Sequence, residues 1–460
     1  MTGLTGQWSA PGIQSEPQLP MNRFKLHALT LLAVGLVASG CTQTDPPSPR
    51  AIGSPVELNV EVHRRSISNY LSLSSGGEVL VWASNVPTGN DTSPFRSYGR
   101  LHVQATDGSI VEVSSLDSHP LVDPESPPQL AEGPDGALYL AWSASDNPES
   151  VWRSTGLQVA RSDDGGRTWS EASRPGGAFG GYQNNHELHV TAEGALWVAW
   201  LDSRMAPEGE RAIHVFTSVS LDGGGSWSDP SVVDPAPSCE CCRVAIASGS
   251  DGTVYLGWRK RLEGGIRDIV VSRTVDLGAS WSAPVAVHPD NWVQDYCPDA
   301  GPTLAVDNQD RLHVAWWTGI EGASGVKSVY SDDQGRSFSD PVAHAMAASS
   351  RASHVQLTRS GDSVALVWDD GALDIPRIAV VASNDRGRSW SEPIHLGAGN
   401  HTAAYPHAGF PEANTITVFW NERGSADQPS REPDHSGEVW VDASPGSATP
   451  RLLKQSVSLN

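Results

Sequence analysis

The chain has 460 residues, long enough for two or three ordinary domains or for one large repeat array. Its 53 acidic against 31 basic side chains leave a formal net charge of −22, which weighs against nucleic acid and against a generic anionic membrane patch as partners. Charged residues make up only 18%, whereas Gly (45), Pro (33) and Trp (17) are abundant, so long disorder is excluded and many short strands with tight turns are favoured.

The N-terminal segment has the pattern of an export signal. From Met21, an alternative start, a cationic stretch (Arg23, Lys25) leads into an apolar run from Ala28 to Val37 and then Ala38-Ser39-Gly40-Cys41. The run is too short for a permanent membrane span. Cys41 after small residues resembles a bacterial lipobox, which implies a lipid on its sulfur and a place in the bacterial cell envelope, held by that anchor alone. Boundaries follow: a signal region 1–40, a lipidated Cys and Pro/Ser/Thr-rich tether 41–53, a repeat domain 54–446 and a C-terminal tail 447–460.

Residues Val56 to Val62 alternate cleanly and are expected to pair with the last repeat and close a ring. Beyond them two signals share one beat. Alternating apolar strands carry Trp82, Trp142, Trp200, Trp258, Trp316, Trp368 and Trp420. Between these strands the pattern S/T-x-D-x-G-x-S/T-W/F recurs five times, around Asp164, Asp222, Asp276, Asp333 and Asp385, with spacings of 52 to 58 residues. In this Asp box the carboxylate can accept backbone N–H groups across a hairpin and Gly can take the positive φ, so these aspartates are structural staples. The first and last units have degenerate boxes, as at Asp107-Gly108-Ser109.

Each unit is therefore strand, Trp strand, strand, Asp-box turn, strand. Seven such units predict an all-β propeller of four-stranded blades, with six blades as the alternative. A monomer is expected.

The repeated box resembles that of the bacterial sialidase-like, or BNR-repeat, propellers. The resemblance implies a glycan ligand at the channel mouth and glycoside hydrolysis of exo-sialidase type, with three arginines on a substrate carboxylate, a Tyr–Glu pair and an Asp acid/base. The F/Y-R-I-P motif that carries the first arginine is absent; the nearest substitute is His63-Arg64-Arg65. That departure weighs against sialic acid hydrolysis. Arg243 and Arg351 precede inner strands, with Glu187 and Tyr405 as partners, and all four are weak catalytic candidates beside their plainer reading as loop residues.

The starts of the inner strands should gather at one end of the channel. There the later units carry His186, the cluster Cys239-Glu240-Cys241-Cys242-Arg243, Cys297 with Asp299, His354 and His407, with Trp292 just upstream as an aromatic platform for a sugar. His186, Arg243, Trp292, Asp299, His354 and His407 are the expected ligand-binding rim. Three readings of Cys239, Cys241, Cys242 and Cys297 stay open. Neighbouring Cys241 and Cys242 rarely bridge each other, so one reading joins Cys297 to a member of the cluster. The others are a copper or zinc site with the nearby imidazoles, and a redox dithiol or unpaired thiols. The competing function is accordingly a non-enzymatic metal-handling or protein-assembly scaffold with an envelope protein as partner.

Overall fold

The computed structural model describes residues 48–60, 66–85, 97–113, 119–123, 125–146, 154–178, 180–208, 210, 212–295, 297–348, 350–351, 353–397, 399–424 and 451–459. The signal region, Cys41 and the His63-Arg64-Arg65 segment lie outside them. Among the described residues no helix is long and apolar enough to cross a membrane.

The seven Trp strands are the second strands of seven antiparallel blades, and all seven indoles are buried. Alternation in these strands has a direct cause. Each blade packs one face on the preceding blade and the other on the following one, so both faces of the second strand are lined by apolar side chains. The innermost strands are Ser66–Ser72, Gln129–Glu132, Gln183–Val190, Ala245–Ser248, Thr303–Val306, Gln356–Ser360 and Thr402–Glu412. Each contacts the innermost strand on either side, and the first contacts the seventh, so they form a closed ring around the axis. Seven blades replace the six-blade alternative.

Blades 3 to 6 each contribute four consecutive strands. Blades 1 and 2 are joined by a short linking strand, His119–Val122, which pairs with the third strand of blade 1 and the Trp strand of blade 2. The fourth position of blade 2 is a single bridge between Ser173 and Val159. Blade 7 is composite. Its three inner strands are Thr402–Glu412, Thr415–Arg423 and Arg451–Ser458, and the outermost is Arg50–Glu57. Closure by the N-terminal strand is as expected, but the strand begins earlier, at Arg50; of the expected segment Val56 and Glu57 pair with Lys454 and Leu453, and Leu58 continues the pairing by donating its N–H to Leu452 O. The segment expected as a C-terminal tail is instead the third strand of this blade, with Leu452, Leu453 and Val457 buried.

Register places the Asp boxes and the inner-strand starts on opposite faces of the ring. In blade 3, Gln183 pairs with Asp202 and Asp202 with His214 at one end, while Leu196 pairs with Ser220 at the other. The Asp box therefore lies at the face opposite the inner-strand starts. In the box at Asp276, Oδ1 accepts from the Ser280 N–H and the Thr274 hydroxyl, and Oδ2 accepts from the Ser280 hydroxyl. Hydrogen bonds to the ionised form hold Asp164, Asp222 and Asp276 down at about 2. The staple role expected of these residues is the geometry found, and Asp333 and Asp385 repeat it.

Candidate functional site at the channel mouth

The inner strands enter the ring through irregular backbone. Asn185, Asp299 and Tyr405 all have positive φ (54°, 50° and 56°), a conformation costly for residues with a Cβ. In blades 3 and 7 it accompanies a register shift, between Asn184 and Glu187 and between Ala404 and His407. These bulges re-aim side chains at the strand starts, a placement that recurs beside functional sites.

A polar network closes around them. The Asp123–Ser126 turn, which precedes the inner strand of blade 2, reaches to blade 3: Asn184 Nδ2 donates to Asp123 Oδ2 (2.8 Å) and the Asn185 N–H to Ser126 Oγ (3.0 Å). From the same turn Glu125 meets His354 of blade 6, with both carboxylate oxygens 3.2 Å from Nε2. Blades 2 and 6 are not neighbours, so this ion pair spans the mouth. The other ring nitrogen of His354 contacts Asp369 Oδ2 at 3.0 Å, and Tyr405 packs on the ring at 4.2 Å between centroids. Burial disfavours charge on His354, but Asp369 and Glu125 outweigh it and raise the imidazole to about 9.

Below this bridge a cavity of about 110 Å³ is lined by Glu187, Arg243, Asp299, Ser353 and His354, among others, from blades 3 to 6. Burial raises the Glu187 carboxyl to about 7, against the pull of Arg243. Burial, with the charges of Glu125 and Asp123, raises Asp299 further, to about 8. The cavity thus holds two carboxyl groups poised to keep or give a proton near neutrality.

The sulfurs lie on the blade 4 and blade 5 side of the mouth. Cys241 and Cys297 form a disulfide, which settles the partner of Cys297, and Cys239 and Cys242 are free and buried. Cys239 Sγ is 2.7 Å from Cys242 Sγ, 3.8 Å from Cys241 Sγ and 3.2 Å from Arg267 Nη1. Among the described residues, Cys239, Cys241 and Cys297 are the group whose donor atoms lie close enough to hold a metal. Two of the three sulfurs are bonded to each other and cannot act as thiolates, and no imidazole joins them. The expected copper or zinc site of thiolates and imidazoles is therefore not assembled.

The expected rim divides. Arg243, Asp299 and His354 line the cavity, as does Glu187 from the catalytic candidates. His186 and His407 point into the protein. His186 donates from Nε2 to Ala141 O (3.2 Å) and accepts at Nδ1 from the Ser126 and Ser143 hydroxyls, and burial lowers it to about 4. Burial lowers His407 to about 3, and Arg243 works in the same direction. Trp292 is no sugar platform: it is 5% exposed, packs edge-on against Trp317 and lies over the Arg259 guanidinium. Arg351 is paired with Asp369 (3.3 Å), leaving Arg243 as the arginine on the cavity wall. Burial and the Glu125 charge push the Tyr405 hydroxyl well above its ordinary range, the opposite of an activated nucleophile. Glu125, Asp123 and Asp369 were not foreseen; the available signal was acidic residues just before an inner strand, for Asp123 and Glu125, and directly after Trp368 of the Trp strand, for Asp369.

Comparison with known proteins agrees with the architecture. Residues 108–297 match the family described as BNR repeat-like domain. An ulvan lyase, a polysaccharide lyase, superposes with a TM-score of 0.50 at 10% identity over 82% of this chain and 92% of its own. The intramolecular trans-sialidase of Ruminococcus gnavus gives 0.45 at 13% identity over 84% and 93%, and a Hadza microbial sialidase 0.44 at 16% over 72% of each chain. No curated protein is similar in sequence to this chain. The chain is a seven-bladed β-propeller, and its residues 108–297 carry a BNR repeat-like domain. At such identities the likeness concerns the fold, and the chemistry has to be argued from the mouth.

Proposed function

We propose that the channel mouth binds the end of a glycan and hydrolyses its terminal glycosidic bond, with Asp299 as the proton donor. The observation that carries this reading is the single cavity in which Asp299 and Glu187, both held protonated near neutrality, face Arg243 and His354. Glycoside hydrolysis needs a carboxylic acid to protonate the leaving oxygen and a second, ionised carboxylate nearby. Asp299 fits the first role, and Glu125, paired with His354 across the mouth, is the carboxylate available for the second. The cavity encloses only a few atoms beyond the mouth, which suits recognition of a chain end. One lining arginine suits a hydroxyl or a single acidic group better than the three-arginine grip on sialic acid. A polysaccharide lyase shares this scaffold, so acidic polysaccharides belong in the test.

The purified full chain is assayed against fluorogenic sialosides, neutral glycosides and acidic polysaccharides. Turnover of one class is expected, with Asp299→Asn lowering kcat by about a hundredfold or more. Absence of both turnover and glycan binding across the panel would sink the reading. We further propose that the chain is exported and held in the envelope by a lipid on Cys41. Metabolic labelling with a palmitate analogue should mark the wild type and not Cys41→Ser; equal labelling excludes this anchor.

A further inference from the structure

The four sulfurs on the blade 4 side of the mouth have no part in that chemistry. Two are free thiols with 0% and 1% exposure, in contact with each other and hidden from any external oxidant. The third, Cys241, lies 3.8 Å from Cys239 and is bonded to the fourth, Cys297, which is exposed. An unbroken line of sulfur atoms therefore runs from solvent to a buried dithiol. Positive charge surrounds its inner end. Arg267 Nη1 donates to Cys239 Sγ and also pairs with Glu240. Behind it Arg259, 1% exposed, donates to the carbonyls of Ala300, Arg267 and Trp317 and, among the described residues, forms no ion pair with a carboxylate. Burial works against a thiolate at Cys239, but Cys242 and the two guanidinium groups outweigh it and bring the thiol below its ordinary range, while Cys242 is pushed up. The inner pair thus has one attacking sulfur and one that keeps its proton.

We propose that Cys239, Cys242, Cys241 and Cys297 form a thiol–disulfide relay that passes two electrons between the buried dithiol and an external disulfide. In the first step the Cys239 thiolate attacks Cys241 Sγ after the Cys241 side chain turns to bring the bond to Cys297 into line. A Cys239–Cys241 bond forms, the Cys241–Cys297 bond breaks, and the electron pair leaves on Cys297, which takes up the proton that Cys239 had released. In the second step Cys242 loses its proton and attacks Cys239 Sγ; the pair leaves on Cys241, which takes that proton. Two electrons and two protons have moved outward, and the inner pair is now the disulfide. In the third, the exposed Cys297 thiolate opens an external disulfide, releasing one thiol, and Cys241 resolves the mixed disulfide, releasing the second. The net reaction consumes one inner dithiol and one external disulfide and yields the Cys239–Cys242 disulfide and two thiols. The relay stands apart from the glycan reading and does not require it.

Redox titration of the purified full chain in glutathione buffers tests it without any variant. After acid quench, alkylation and trypsin, Cys239, Cys241 and Cys242 share the peptide 212–243 and Cys297 lies in 274–311. The relay requires a two-electron-reduced species in which the two peptides are no longer linked, each carries one alkylated cysteine, and an internal bond closes within 212–243. Cys242→Ala should stop after the first step and accumulate the Cys239–Cys241 bond. With oxidised glutathione as the external disulfide, the double substitution Cys241→Ser and Cys297→Ser should slow formation of the Cys239–Cys242 bond by roughly tenfold. A link from 274–311 as the sole disulfide at every poise, with Cys239 and Cys242 alkylated together throughout, overturns the proposal. So does tight binding of zinc or copper by the Cys239–Cys242 pair without exchange.

Discussion

Leu277 occupies the fourth position of an Asp box with φ 57°, where the boxes at Asp164 and Asp222 place Gly165 and Gly223. The left-handed conformation costs a residue with a Cβ about 1–2 kcal/mol, of which Gly returns part through its larger unfolded-state entropy. Leu277 is 52% exposed, so little packing offsets the strain. Leu277→Gly should therefore stabilise the chain by up to about 1 kcal/mol in denaturant unfolding. Arg386 has the same conformation at φ 62°, but its guanidinium reaches back a whole blade to Asp307 (2.6 Å). Arg386→Gly should have the opposite sign, losing roughly 1–3 kcal/mol as the buried carboxylate is left short of partners. At this scale the box residues were legible because their chemistry is local. His186 and Trp292 were misplaced as ligands because a sequence locates a residue at a strand end without saying which way its side chain turns there.

Around the inner strands and their entry turns, Glu187, Asp299 and His354 are raised while the buried His186 and His407 are lowered, and the raised groups are the ones at the cavity. For Asp299 the folded chain holds a proton that the unfolded chain has already lost, so its contribution to stability falls as pH rises from about 4 to about 8. His354 is raised from 6.5 to about 9; its contribution is complete below about 6.5 and is lost as pH rises through about 9. Both predict a mouth that loosens on the alkaline side. The thermal midpoint of the wild type should fall between pH 7 and 9.5. Asp299→Asn, neutral throughout, should flatten that slope and be more stable at pH 8 by about 1–3 kcal/mol, although it removes the proton donor. A slope unchanged by the substitution would mean that Asp299 ionises as an ordinary surface carboxylate. The convergence of Arg243, Asp299 and His354 was legible from the count back from each Trp. Glu125 was not, because it meets His354 across 229 residues of chain and only ring closure brings the two together.

The ring as a whole closes by a three-plus-one blade, with Arg50–Glu57 laid on Arg451–Ser458. Blade number was legible because Trp strand and Asp box kept one period. The last blade's third strand was hidden because residues 424–450 separate it from Thr415–Arg423 and break that period. A chain begun at Leu58 keeps every Asp box and the whole mouth but leaves Arg451–Ser458 without its outer partner. Its melting midpoint should be lower by about 5 °C or more, with blade 7 losing hydrogen-exchange protection first. An unchanged midpoint would show that the N-terminal strand adds nothing to closure.

The placement of that strand also decides how the molecule responds to being pulled. Any tension applied from the N-terminal side of Arg50 enters the ring at its outer rim, on a strand most of whose side chains face solvent. Peeling it away leaves the cavity groups untouched and bares the hydrogen-bonding groups of Arg451–Ser458, a ready template for a strand from another chain. Mechanical stress at the N-terminal strand would thus first produce chains that stick to one another while their mouths are still intact.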